Sequence, residues 1–230
     1  MRRNHPEPGE LDHVDCWVFD LDNTLYCSRK YDLFPAMGEK MALYIEQTLG
    51  VSRDEAQRLR AQWSADHGTT LRGLMMEQGL KPDEFLEFVH DLDLDQIKPE
   101  PSLDKAIASL PGRKVVFTNA TVKYAIDVMD RLGVSHHFDV VFDVAAADYI
   151  PKPQMPAYDQ FLKATGVRPE RSIFFEDMAR NLAPAAQIGM TTVWVENERA
   201  NAGPTPACDH IHYIADDLTR WLEAAAKNTR

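Results

Sequence analysis

Asp15-Cys16-Trp17-Val18-Phe19-Asp20-Leu21-Asp22-Asn23-Thr24-Leu25-Tyr26 decides how the rest of the chain is read. Val14 to Phe19 is an apolar run of strand length, too short for a helix, and it stops abruptly at two carboxylates one residue apart. Placed first beyond such a strand, Asp20 sits at the carboxyl edge of a sheet, where open α/β folds put their ligand crevices. Two acids at this spacing repel, and no Lys or Arg stands beside them in the chain. A bound divalent cation is the economical solution, because hard cations take carboxylate and carbonyl oxygens. For an isolated Asp-x-Asp, a solvated turn is the plainer account. The remainder of the chain decides between the two.

Beyond Tyr26 the pattern turns helical for some seventy residues. Pro35 to Leu49 reads as a helix stopped by Gly50. Ser52-Arg53-Asp54-Glu55 is a capping box in which the Ser52 hydroxyl and the Glu55 carboxylate each satisfy a free amide. That second helix ends at Gly68, a third runs from Thr69 or Thr70 to Gly79, and a fourth from Pro82 to Leu92. Asp91 to Pro101, dense in Asp and Pro, is a linker. From Ser102 onward, strands and helices alternate: Lys114–Thr118, Val140–Phe142, Ser172–Phe175 and Thr191–Val195 are strands, with helices over Thr121–Leu132, Gln154–Thr165 and Asn181–Ile188. His210 to Ile214 adds an edge strand and Asp217 to Ala226 a terminal helix. This rhythm predicts an α/β fold with a parallel, doubly covered sheet and a helical insertion behind its first strand.

The residues just past four of these strands form a set. Asp20 and Asp22 follow the first, Thr118 and Asn119 end the second, Lys152 lies between Pro151 and Pro153 beyond the third, and Glu176 and Asp177 end the fourth. A parallel sheet brings all of them to one edge. Taken singly, each has a structural reading: Thr118 and Asn119 as a helix cap, Lys152 as a loop lysine, Glu176 and Asp177 as caps of the following helix. Their order at four strand ends is what gives them joint weight.

In these four motifs the chain resembles the haloacid dehalogenase (HAD) superfamily of phosphohydrolases. The resemblance implies a HAD-like Rossmannoid core with strand order 5-4-1-2-3 over residues 11–27 and 102–230. It also implies a helical C1-type cap over 28–101. Asp20 becomes the nucleophile that takes a phosphoryl group, and Asp22 the acid that protonates the leaving oxygen and then deprotonates water. Lys152, the Thr118 hydroxyl and the Asn119 backbone amide bind phosphate. Asp20, the Asp22 carbonyl and Asp177 hold Mg2+, with Glu176 as a direct or water-mediated helper. Dehalogenases lack an acid at the position of Asp22, since a halide leaves without a proton, so a phosphate ester is favoured over a haloacid.

Within the insertion, His67-Gly68-Thr69-Thr70-Leu71-Arg72-Gly73-Leu74 combines a hinge glycine, two hydroxyls and an Arg at a helix start. With the Asp-Leu-Asp-Asn-Thr-Leu-Tyr form of the first motif, it resembles the pyrimidine 5'-nucleotidase branch. That branch implies UMP or CMP as substrate, with Asn23, Tyr26, His67, Thr69, Thr70 and Arg72 as substrate-binding candidates. The structural alternative is that Gly68 and Thr69 end one helix and cap the next, Arg72 is solvated and Asn23 stabilises its turn. Other functions of the same residues are a sugar-phosphate or phosphoglycolate phosphatase, a phosphomutase, and a non-catalytic protein that binds a phosphorylated ligand or a protein partner.

The chain has 230 residues and a formal net charge of -11, which disfavours nucleic-acid and anionic-membrane surfaces. No apolar run is long enough to span a bilayer, and Met1 to Glu10 lacks the apolar core of a signal peptide. Cys16, Cys27 and Cys208 form no paired framework, which fits a reducing cytoplasm. The adjacent His136 and His137 read as a polar loop with no nearby Cys or third His to complete a metal set, and Met75, Met76, Trp17, Trp63, Trp194 and Trp221 as core or half-buried packing.

Overall fold

A computed structural model describes residues 4–196 and 209–228; Cys208 lies outside them. Strand β1 (Cys16–Phe19) is buried along its whole length. Its alternate residues face opposite ways: Trp17 and Phe19 join one apolar cluster, Cys16 and Val18 the other. A strand covered on both faces reads as a continuous apolar run, which is why the sequence shows no alternation there. Burial pushes the Cys16 thiol up to about 11, so it behaves as a small apolar residue.

β1 pairs in parallel with β2 (Arg113–Phe117) and β4 (Ser172–Glu176). The sheet continues through β3 (Val140–Phe142) beyond β2 and β5 (Thr191–Val195) beyond β4. A short sixth strand, β6 (Tyr213–Ala215), extends the parallel edge beside β5. The resulting order, β3-β2-β1-β4-β5-β6, is the expected one with β1 interior and β6 added outside. On one face Phe19, Phe175 and Trp221 stack and edge together; on the other Phe117, Phe161 and Phe174 do.

The first four of the helices between β1 and β2 form one group: α1 (Leu33–Leu49), α2 (Arg53–His67), α3 (Thr70–Gln78) and α4 (Pro82–His90). They pack chiefly on one another, α1 against α2 and α4, α2 against α3. α5 (Pro101–Ala108), absent from the sequence reading, instead packs on the terminal α9 (Leu218–Asn228). The remaining helices are α6 (Val122–Leu132), α7 (Met155–Thr165) and α8 (Ala179–Gln187), the last starting two residues before its expected Asn181.

Several local expectations change. Ser52 caps α2 by accepting from the Glu55 amide, but the Glu55 carboxylate pairs with Arg58 instead of turning back to close the box. An ion pair one turn along outcompetes that return contact. Met75 is partly buried as expected, whereas Met76, one residue on, points outward with 61% of its surface exposed. All four Trp side chains are buried.

Candidate active site

The carboxyl ends of β1, β2 and β4 meet above the middle of the sheet, and Lys152 reaches into the space among them. Its Nζ donates to Asp20 Oδ1 at 2.8 Å, to Glu176 Oε2 at 2.6 Å and to the Phe117 carbonyl at 2.8 Å. All three ammonium protons are therefore used, and the side chain is buried. The loop that carries Lys152 is tied down by Asn119. Its Oδ1 accepts from the Lys152 amide at 2.8 Å, and its Nδ2 donates to the Lys152 carbonyl at 3.3 Å. The family resemblance implies a role for the Asn119 backbone amide; the Asn119 side chain also clamps the loop that carries the lysine.

Asp20 follows β1 directly, its amide donating to the Phe175 carbonyl of β4 and its Oδ2 accepting from the Thr24 hydroxyl at 3.3 Å. Thr118 is buried at the end of β2, and its Oγ1 accepts from the Ala120 amide, leaving the hydroxyl proton to give to a ligand. Asn23 adopts a left-handed φ of 60°, a conformation Asn tolerates, so it shapes the turn after Asp22 as well as lining the cavity.

Asp22 is held by two phenols. Tyr26 and Tyr124 both donate to its Oδ1, the latter at 3.2 Å, and the two hydroxyls lie 2.9 Å apart. Tyr26 thus serves Asp22 and does not itself line the cavity. Tyr124 escaped the sequence reading. The available signal was a tyrosine on the apolar stripe of α6, since a buried phenol needs a partner.

Asp20, Glu176 and Asp177 each bring a carboxylate oxygen within 4.8 Å of the others. The Glu176 Oε1 also accepts from the Met178 amide at 3.1 Å. Burial, and then the Glu176 charge, hold the Asp20 and Asp177 carboxyls above the usual range. Burial also raises Asp22, against the two tyrosine hydrogen bonds. For the Lys152 ammonium, burial works against the charge, and the neighbouring Asp20 and Glu176 carboxylates outweigh it. A single ammonium facing four carboxyl groups leaves an excess of buried negative charge. The oxygen-only donor set suits a hard divalent cation. One further observation fits: Asn181 of α8 lines the same cavity, and its buried Oδ1 has no hydrogen-bond partner among the described residues. Asn181 was read from sequence only as the start of a helix.

The cavity over these groups holds about 460 Å³. Its floor is Asp20, Asp22, Thr118, Asn119, Lys152, Glu176 and Asp177, and α1, α3 and α4 form its roof. Of the substrate-binding candidates, Asn23, Thr69 and Thr70 line it; His67 and Arg72 do not. His67 faces Glu77 across the α2–α3 elbow at 2.8 Å.

A second group of potential metal ligands lies apart. The 3-10 turn Ser135–His137 is irregular enough to bring both imidazoles to one carboxylate of α5, His137 Nε2 at 2.7 Å and His136 Nε2 at 3.4 Å from Asp104 Oδ1. The third member of this group is a carboxylate, neither a Cys nor a third His.

A parallel sheet whose strand ends gather a buried aspartate, a buried lysine and a carboxylate cluster has the make-up of a hydrolase centre. The chain belongs to the haloacid dehalogenase-like hydrolases: the family's model matches residues 14–189. Among relatives, it is 26% identical over 204 residues to "Phosphate metabolism protein 8" of Saccharomyces cerevisiae, covering 80% of this chain but only 62% of that protein. It is 23% identical to a "Glyceraldehyde 3-phosphate phosphatase" of Methanothermobacter thermautotrophicus, over 87% of this chain and 92% of that one. A HAD phosphatase structure from Thermococcus onnurineus shares the fold, with a TM-score of 0.65 at 19% identity over 94% of this chain and 100% of that one.

Proposed function

We propose that the protein is a Mg2+-dependent phosphomonoesterase that forms an aspartyl phosphate on Asp20. Residues 28–101 act as its cap, and a pyrimidine nucleoside 5'-monophosphate is its substrate. The observation that carries this reading is the Lys152 ammonium held between Asp20 and Glu176 at the strand ends. A buried lysine so placed can neutralise both the attacking carboxylate and the incoming phosphate. The names of the yeast and archaeal relatives support phosphate chemistry.

Asp20 attacks phosphorus through a carboxylate oxygen while the bond to the leaving oxygen breaks, and Asp22 gives that oxygen its proton. Water then attacks the same phosphorus, Asp22 takes the water proton, and the bond to Asp20 breaks to release inorganic phosphate. Thr118 and Lys152 bind the phosphoryl oxygens, the lysine with the proton that it gives to Asp20 at rest. Asp20, Asp22 through its carbonyl, Asp177 and Glu176 would hold Mg2+, which supplies positive charge against the transferring group. Asn119 fixes the lysine loop throughout. A cytoplasmic location rests on the cysteine content alone.

Phosphate release from UMP or CMP tests the proposal directly. We expect turnover with Mg2+, its loss on adding EDTA, and none from Asp20→Asn. A Mg2+-loaded protein that releases no phosphate from any nucleotide contradicts the nucleotidase reading. The relatives' names favour a second substrate, glyceraldehyde 3-phosphate. Comparing kcat/KM for the two substrates decides which one the cap serves.

A further inference from the structure

The cavity has two unlike halves. Its floor is charged, while the roof is built from Phe34, Met37 and Met41 of α1 and Phe85, Leu86 and Val89 of α4. The roof's few polar groups each have one hydrogen bond taken up by the protein itself. Thr69 Oγ1 accepts from the Arg72 amide at 3.1 Å, and the Thr70 hydroxyl donates to the Arg60 carbonyl at 3.3 Å. His90 lies with its Nδ1 3.3 Å from the Thr121 hydroxyl and its ring stacked on Tyr124. His67 and Arg72, from the same stretch as Thr69 and Thr70, are outside the cavity.

We infer that the roof selects an apolar or flat aromatic leaving group by packing alone. A nucleotide's base is then held without its hydrogen-bonding edge being read. This inference rests on the phosphomonoesterase reading for its orientation, with phosphate on the floor and the leaving group against α1 and α4. A polyol placed there loses water from every hydroxyl and finds few partners in return. An apolar ring or an alkyl body loses nothing of the kind and fills the apolar space, and a base gives up water only at its edge while both faces pack. Uracil and cytosine differ at their polar edges and not in their faces, so this roof treats them alike. An aryl phosphate with no base edge at all is at least as good a substrate.

The test measures kcat/KM with Mg2+ for UMP, CMP, 1-naphthyl phosphate and glycerol 3-phosphate. UMP and CMP are expected within a few-fold of one another, 1-naphthyl phosphate at or above them, and glycerol 3-phosphate below 1-naphthyl phosphate by about 10- to 200-fold, the range a hydrophobic pocket can discriminate. Leu86→Gln and, separately, Met41→Gln should narrow the ratio of naphthyl to glycerol ester. Equal loss on both esters marks a merely structural role and overturns the inference. So does a glycerol ester that matches the naphthyl ester, or a preference between UMP and CMP beyond about 100-fold. Calorimetric binding of the same four esters to Asp20→Asn gives the ranking without turnover. If that ranking holds while the unaltered protein hydrolyses none of them, the inference stands and the phosphomonoesterase reading falls.

Discussion

Lys152 sets the charge balance of the site, since its three donors go to Asp20, Glu176 and the Phe117 carbonyl. Lys152→Met strips the buried carboxylates of their cation. Breaking such a pair from one side costs about 3–5 kcal/mol, so urea denaturation should show a loss of that size alongside lost turnover. Tyr124→Phe is a subtler change. It removes one of the two hydroxyls on Asp22 Oδ1 while leaving the ring stacked on His90. Steady-state kinetics should show kcat reduced on the order of tenfold with KM nearly unchanged, short of the ~100-fold or more expected when the acid itself is removed. Asp20 and Lys152 were legible in the sequence because their types and order carry the chemistry. Tyr124 was not, because its contact with Asp22 joins positions 102 residues apart and leaves no local pattern.

The α2–α3 elbow explains much of the unusual His67–Leu74 stretch as architecture. A Cβ on Gly73 would come 2.3 Å from Trp63 Cβ and Cγ, so only glycine lets α3 lie against the buried indole. Thr69 caps α3, and Thr70 ties it to the Arg60 carbonyl. Gly73→Ala gains about 1 kcal/mol of helix propensity but forces a rigid, buried Trp to move, a strain of about 1–3 kcal/mol. With contact this close to the backbone, the strain wins, and thermal unfolding should show a lower Tm. Composition flagged this stretch as special. It could not say that Trp63, ten residues upstream, was the reason.

His90 spans the two parts of the molecule, carried on α4 and stacked on Tyr124 of α6 with ring centroids 4.7 Å apart. Burial pushes its imidazole down to about 4 from 6.5. Between those values the unfolded chain binds a proton there that the folded protein does not, so His90 costs stability as pH drops from 6.5 towards 4. His90→Phe keeps a ring for the stack and removes the titration. From pH 7 to pH 5 the urea midpoint of the variant should therefore shift further towards stability than that of the unaltered protein, with the buried carboxyls common to both.

By itself the sequence determined the alternation of strands and helices, the helical insertion after the first strand and the four acidic, hydroxyl and lysine motifs at strand ends. Strand composition, caps and helix periods are local, and a parallel sheet turns chain order into a shared edge. Only the tertiary structure decided which side chains meet: Asn119 on the Lys152 loop, two tyrosines on Asp22, Asn181 facing the cavity, His67 and Arg72 outside it. These contacts are set by how helices from distant segments seat on the sheet. A side chain's direction on such a helix depends on packing that no short stretch encodes.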